Sequence, residues 1–336
     1  SYSLRLIMLA TISSQAQSLK SAFAREQAAH PGRLRLTAHR QHPWPEVCFA
    51  AHQQAALDRA QEQEAHREKI VRELIPRSRA HWIRGLGLPA DSAMQFGSSA
   101  ELLMSRLLDA PSLRVLTTDA EAPDIQALLE RLQVQCMAEV RNVALEPVTT
   151  FAARWDDAAQ STHWDWLVLS QVFHSSGHAL TDLAPLLRST PPSARVLVDG
   201  RLAFMALPVQ LAGVHPRLHY LASSGAYALG GEGLAVICAA ALSERIELSE
   251  YSALYRFCAA QDWLHTQGWP SARIHAHLAG LQQALLRRLD ALWLKGLNSA
   301  YLMPTRSSAR GGWLSFRHPQ AGELWQRLAE LNVVAE

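Results

Sequence analysis

Trp166-Leu167-Val168-Leu169-Ser170 and Arg195-Val196-Leu197-Val198-Asp199 are the two stretches that decide the fold. Each is a continuous apolar run ending on a polar side chain. A strand with one wet face alternates apolar and polar residues, whereas a strand covered on both faces does not. Runs of this kind, separated by helical stretches, predict a mostly parallel sheet with helices on both faces. Ligands of such sheets gather at the carboxyl ends of the strands. That rule puts Ser170 and Gln171, with Asp199 and Gly200, at the candidate site.

Outward from these runs, residues 113–117 form a short β-like segment, 125–132 read as helix and 141–145 again as strand. A helical stretch is expected over 180–188. Residues 234–242 read as strand then turn, and 251–297 as helix, with Leu281, Leu285, Leu286, Leu289 and Leu292-Trp293 at helical intervals. Upstream, residues 45–84 are rich in Ala, Gln, Glu and Arg. Val47, Ala51, Ala55, Leu57, Ile70, Leu74 and Ile83 give them an apolar stripe, so one or two long helices are predicted. Ser98 and Ser99 suit the start of a helix over 101–108, because a serine hydroxyl accepts from a free N–H of the first turn. The tail reads as a strand over 311–316 and a helix over 321–331.

With 336 residues, 49% of them hydrophobic and 18% charged, the chain can bury one large α/β core, or a large and a small one. A formal net charge of +2 gives no basis for expecting nucleic acid or an anionic membrane as partner. No run reaches the roughly 18 to 20 apolar residues of a membrane span. The apolar run over 4–12 is interrupted by Arg5 and lacks a cleavage pattern, so an ordinary helix or strand and a cytoplasmic location are expected. Cys48, Cys238 and Cys258 sit among apolar neighbours and read as buried thiols, without a disulfide framework. The basic side chains are almost all arginine, since only Lys20, Lys69 and Lys295 are lysines.

The segment Ser223-Ser224-Gly225-Ala226-Tyr227-Ala228-Leu229-Gly230-Gly231-Glu232-Gly233 resembles the stretch that carries the Schiff-base lysine in pyridoxal-phosphate enzymes of the class V aminotransferase and kynureninase type. That family reads Gly-Tyr-Lys-Tyr-Ala-x-x-Gly-Glu-Gly; here Gly225 and Ala226 stand in place of Tyr-Lys. Further landmarks follow in the family's order over roughly residues 35–334. Ala38-His39-Arg40-Gln41-His42-Pro43-Trp44-Pro45 is similar to the family's opening segment. Phe96-Gly97-Ser98-Ser99-Ala100-Glu101 is similar to a strand-to-helix turn, which implies that Ser98 and Ser99 face the cofactor phosphate at a helix N-terminus. Gln171-Val172-Phe173-His174-Ser175-Ser176-Gly177 matches a strand end and its loop. Val198-Asp199-Gly200 matches the strand whose aspartate pairs with the pyridine nitrogen.

The resemblance implies fold type I of the pyridoxal-phosphate enzymes, with a smaller α+β domain built from the two chain ends. Residues 1–45 would pack on that small domain, 46–245 would form the large α/β domain, and 246–336 a small domain shorter than the family's. The vestigial cofactor contacts implied are Ser98, Ser99, Gln171, His174 and Asp199. Plainer readings exist: the serines cap a helix, and Asp199 before glycine makes a turn. His174 and His178 lie in a strand-to-loop stretch with no third ligand nearby, so no metal site is expected. Gly230-Gly231-Glu232-Gly233 lacks the pattern and setting of a nucleotide loop.

Several parts of the family's machinery are missing. Ala226 has no amine to hold an aldehyde cofactor. Ala122 and Pro123 supply no ring where relatives stack one on the pyridine. The histidine of the family's phosphate turn is gone. The family's substrate arginine lies in a segment beyond this chain, and Arg310 and Arg317 are expected at the surface. The leading expectation is a degenerate class V aminotransferase-like protein without pyridoxal-phosphate chemistry or cofactor. It would act as a non-catalytic subunit or partner protein, as a homodimer or a heterodimer with an active paralogue. One alternative is a pyridoxal-phosphate-dependent lyase or aminotransferase acting on an amino acid, present as a Lys-to-Ala variant at Ala226. Another is an enzyme with the same cleft and different chemistry, drawing on His39, His42, His174 and Asp199.

Overall fold

The computed structural model describes residues 19–336 except 63, 189, 215, 241, 244, 295 and 305. The apolar run over 4–12 and Lys295 lie outside the described residues. The strands, in chain order, are β1 Leu34–Arg35, β2 Ala93–Gly97, β3 Leu113–Thr118, β4 Ala138–Val143, β5 Trp166–Ser170, β6 Arg195–Asp199, β7 Leu218–Ser223, β8 Ala235–Ala239, β9 Arg245–Glu247, β10 Leu302–Met303, β11 Ser315–Phe316 and β12 Val333–Val334. Eight of them form one sheet in the order β4-β3-β5-β6-β7-β8-β2-β9. Only β8 runs antiparallel, to both β7 and β2. The carboxyl ends of β2, β3, β5, β6 and β7 therefore share one edge of the sheet, bringing Gly97, Thr118, Ser170, Asp199 and Ser223 together.

The two runs that announced the fold are β5 and β6, paired in parallel with Leu169 opposite Val198 and Ser170 opposite Asp199. Their lack of alternation has the predicted cause. Successive side chains of a strand point to opposite faces, and both faces are covered. Leu167, Leu169, Val196 and Val198 enter one core, with Trp82, Phe151, Trp155 and Phe257. Trp166, Val168 and Leu197 enter the other, with Leu103, Ile125 and Leu129. In the first core the Trp82 indole stacks on Phe257 at 4.2 Å between centroids and meets Phe204 at 4.6 Å. Ring pairs of this kind add about 0.5–1.5 kcal/mol each beyond their area burial.

Residues 45–84 fold as helices Glu46–Glu62, Glu64–Lys69 and Ile75–Leu86, joined by one π-helical turn, Ile70–Leu74. Gly87 ends the last of them in a left-handed conformation, φ +58°, and a Cβ there would lie 2.0 Å from the Gln210 side chain. Glycine is required on both counts. Helices Ser252–Thr266 and Ser271–Ala291 fill the region expected to be helical, broken around Gly268 and Pro270. Near the chain ends β1 pairs in parallel with β12, Leu34 opposite Val333, so residues from both ends share a small sheet. The large sheet also continues into β9, past residue 245.

Three expectations need correction. The helix expected over 180–188 is only Ala184–Leu187; Asp182 accepts from the Ala184 N–H at 3.0 Å and holds the preceding residues as a turn. The strand expected over 141–145 is β4, Ala138–Val143, because its partner β3 sets the register from Leu113 opposite Ala138 onward. The tail strand expected over 311–316 shrinks to Ser315–Phe316. Gly311 and Gly312 instead lie against Gly177 and Tyr227. Cys48, Cys238 and Cys258 are buried free thiols as expected, with Cys136 exposed. Among the described residues no helix is long and apolar enough to cross a membrane.

Candidate functional site

At the end of β2, Ser99 is the N-cap of the helix Ala100–Leu107. Its backbone is extended, and its Oγ accepts from the Leu102 N–H at 3.1 Å. Ser98 beside it is half-buried. Ser99→Ala is expected to cost about 1 kcal/mol of stability, measured by urea denaturation; no loss would mean that the hydroxyl does not cap.

The end of β3 leads to Glu121, a carboxylate that the sequence reading passed over. It is 3% exposed. Thr118 donates to its Oε1 at 2.6 Å and Ser170 to its Oε2. Burial pushes its pKa up to about 7, against the two hydroxyl donors, and the charge of Asp199 adds to the rise. A buried carboxyl near neutrality holds or releases a proton in the working pH range.

At the end of β6, Asp199 is 6% exposed, and Arg201 embraces it. The Arg201 backbone N–H and Nε donate to Oδ1 at 3.0 and 2.9 Å, and Nη2 donates to Oδ2 at 2.8 Å. The same guanidinium grips Asp124, with Nη2 to Oδ1 at 3.0 Å and Nη1 to Oδ2 at 2.5 Å. Burial opposes the guanidinium charge, but the two aspartates outweigh it and hold its pKa well above the usual range. Burial likewise acts against ionised Asp124, and the Arg201 hydrogen bonds overcome it, lowering its pKa. Such two-donor contacts to a carboxylate are the strong ones.

Gln171 is buried, receives a hydrogen bond from the Tyr220 hydroxyl and donates to the Leu180 carbonyl at 3.3 Å. Gly200 makes room for this: a Cβ there would lie 2.0 Å from the Tyr220 oxygen. After β7 the chain enters a short 3-10 turn, Ala226–Ala228, with Ala226 in a left-handed conformation, φ +44°. Its side chain is a methyl, which neither bonds nor moves protons. The glycine-rich turn that follows is held from the helix Ser252–Thr266. Arg256 donates to the carbonyls of Gly230 (3.1 Å) and Glu232, and its guanidinium centre lies 4.3 Å from the Trp44 ring centroid. Of the lysines, Lys69 is bound to Asp58 at 2.7 Å and Glu62 at 3.0 Å, and Lys20 is exposed.

Of the candidate histidines, His39 feels the charge of His174, while His42 is held by its own neighbours. His39 is buried, stacks on Trp313 at 4.4 Å and places Nε2 3.3 Å from Glu336. Burial lowers its pKa, Glu336 partly opposes that, and His174 lowers it further. His42 faces the Pro43 carbonyl at 2.9 Å and packs against Phe23. His178 stacks on Phe173, and its backbone bridges to Arg310. Among the described residues no group of three or more His, Cys, Asp or Glu is arranged to hold a metal. Arg317 is exposed, as expected, but Arg310 is not: it is 7% exposed, and its Nε donates to the Pro304 carbonyl at 3.1 Å.

This strand order, with its one antiparallel strand among parallel ones, is the fold of the fold-type I pyridoxal-phosphate enzymes. Among solved structures, the chain is similar to a lysine-to-alanine variant of C-DES with glycine covalently linked to its pyridoxal-phosphate cofactor, with 16% identity, a TM-score of 0.74, and coverage of 95% of this chain and 92% of that one. C-DES is elsewhere described as a cystine C–S lyase. It is also similar to the apo cysteine desulfurase of Thermococcus onnurineus NA1, with 11% identity, a TM-score of 0.75, and coverage of 96% and 88%. A cysteine desulfurase from Escherichia coli matches at 15% identity and a TM-score of 0.71, over 93% and 86%. At these identities the likeness is one of fold. No protein-family model and no curated protein matches the chain.

Proposed function

We propose that this chain is a fold-type I scaffold that no longer performs pyridoxal-phosphate chemistry and serves as a non-catalytic subunit or partner protein, paired with itself or with an active paralogue. The observation that carries this reading is the seat of Arg201. If Asp199 is the aspartate of the family's strand, it would have to receive the protonated pyridine nitrogen. Both of its oxygens already accept from a guanidinium that Asp124 holds from the other side. A pyridine ring would have to displace a cation tied to two carboxylates. Ala226 at the lysine position and Ala122-Pro123 at the ring-stacking position add to the mismatch, so these residues do not fit the cofactor.

The missing lysine alone carries less weight. The C-DES variant carries a lysine-to-alanine change and is described with glycine covalently linked to its cofactor. That structure, together with the lyase and desulfurase activities named for the neighbours, favours a second reading: an amino-acid lyase of this fold, carrying alanine at position 226.

Pyridoxal phosphate added to the purified chain separates the two readings. We expect no bound-cofactor absorbance after gel filtration, in the parent chain or in Ala226→Lys. A yellow protein with turnover of an amino acid in Ala226→Lys would establish the lyase reading and overturn ours.

A further inference from the structure

We propose that the cleft at the amino ends of β6 and β7 is a binding site for a small phosphate-bearing ligand. It lies across the sheet from Asp199: Arg195 opens β6, Arg217 precedes β7, and Ala239 closes the antiparallel β8. The cleft has a volume of about 440 Å³, within the range of small-molecule sites.

Four arginines line it, and each comes from a different element: Arg106 from the helix Ala100–Leu107, Arg195 from β6, Arg217 from the turn before β7, and Arg245 from β9. None of the described lining residues is acidic. Arg106 has one carboxylate partner, Glu247, at 3.3 Å. Arg195 is held through its face, its guanidinium centre 4.4 Å from the ring centroid of the fully buried Trp166. Stacking leaves the in-plane N–H donors of a guanidinium for hydrogen bonds.

In a chain whose net charge is only +2, gathering these groups in one cleft raises the local positive potential and favours an anion of more than one charge. Phosphate suits better than a single carboxylate, because it carries the greater charge and its oxygens accept from several arginine forks at once. The rest of the wall includes Leu107, Leu218 and Leu242, an apolar surface for the remainder of the ligand. This inference stands apart from the reading of Asp199, and its outcome does not depend on that one.

Pyrophosphate titrated calorimetrically into the full chain at low ionic strength is the test. We expect one saturable site that weakens as salt is added. Arg195→Gln with Arg245→Gln should lower the affinity by at least about tenfold, while leaving the circular dichroism and melting temperature unchanged. No saturable binding, or equal affinity in the double variant, overturns the proposal. So does loss of binding in Ser99→Ala, which would put the anion at the helix N-terminus on the other edge of the sheet. Binding of an acidic peptide or nucleic acid but not of pyrophosphate also rejects it.

Discussion

Arg201→Leu should destabilise the protein by roughly 3 kcal/mol at pH 7, because removing one partner leaves a buried carboxylate without its cation. Arg201 makes three hydrogen bonds to Asp199 and two to Asp124. The two aspartates differ in how they can respond. The Asp124 side chain is 39% exposed and can turn to water, so its loss is small. Asp199 is 6% exposed and sits at a strand end fixed between β5 and β7, so it has nowhere to go. Urea denaturation of Arg201→Leu, and of Arg201→Leu with Asp199→Asn, tests the account. The second variant removes the stranded charge and should recover part of the loss, since residues in one ion-pair network are not additive. A loss under about 1 kcal/mol in the single variant, on the scale of an exposed pair, would mean that the guanidinium is not seated on Asp199. That would remove the main support for a site closed to a pyridine ring.

The fold was legible from the sequence where burial dictates composition. A strand covered on both faces must be apolar throughout, and β5 and β6 were readable to the residue for that reason. β7 was not, because His219, Tyr220 and Ser223 break the run: the His219 ring is satisfied locally by the Arg217 carbonyl at 3.1 Å and the Tyr220 hydroxyl by Gln171. These partners are distant in the sequence or lie in the backbone, so no pattern announces them. The stretch over 180–188 failed for the opposite reason. Its leucines have helical spacing, but Leu183, Leu186 and Leu187 are buried around a single turn rather than along one helix face.

The strand ends were legible from the sequence; the side-chain partners that meet across them were not. Sequence reasoning brought Ser98, Ser99, Gln171 and Asp199 forward, and the topology gathers Gly97, Ser170 and Asp199 along one edge. It missed Arg201, Asp124 and Glu121. Arg201 stands two residues after Asp199, where the plain reading was a turn without an ion pair, and the second aspartate comes from the start of the helix Pro123–Val134. A segment read only for the ring it lacks, Glu121-Ala122-Pro123-Asp124, turns out to supply two carboxylates. Alternating acids ahead of a helix were the signal available. Arg310 was misjudged by default: it follows a 3-10 turn, Ser307–Ala309, and is drawn inward beside His178, which composition does not reveal.

Glu121→Gln should stabilise the protein, and by an amount that grows with pH. The folded-state pKa of Glu121 is pushed up to about 7 from an ordinary value of 4.5, chiefly by burial. As pH rises, the unfolded chain therefore gives up this proton first. Below about 4.5 the two states bind it equally and stability is unaffected. Between there and about 7 the unfolded state is progressively favoured, and above 7 the penalty is constant, on the order of 3 kcal/mol. Glutamine keeps the shape and does not ionise. Thr118 still donates to its carbonyl oxygen, and the Ser170 hydroxyl turns to accept from the amide. Melting curves of parent and variant should coincide at pH 4 and separate from pH 5 to pH 8, the variant higher by about 2–3 kcal/mol at the upper end. A constant difference across that range would mean that the carboxyl ionises normally, with water reaching it between Thr118 and Ser170. A destabilised variant at pH 8 would mean that the ionised carboxylate is itself stabilised by the Thr118 and Ser170 hydroxyls. The raised pKa of Glu121 has two causes acting together, burial first and then the Coulomb repulsion of Asp199.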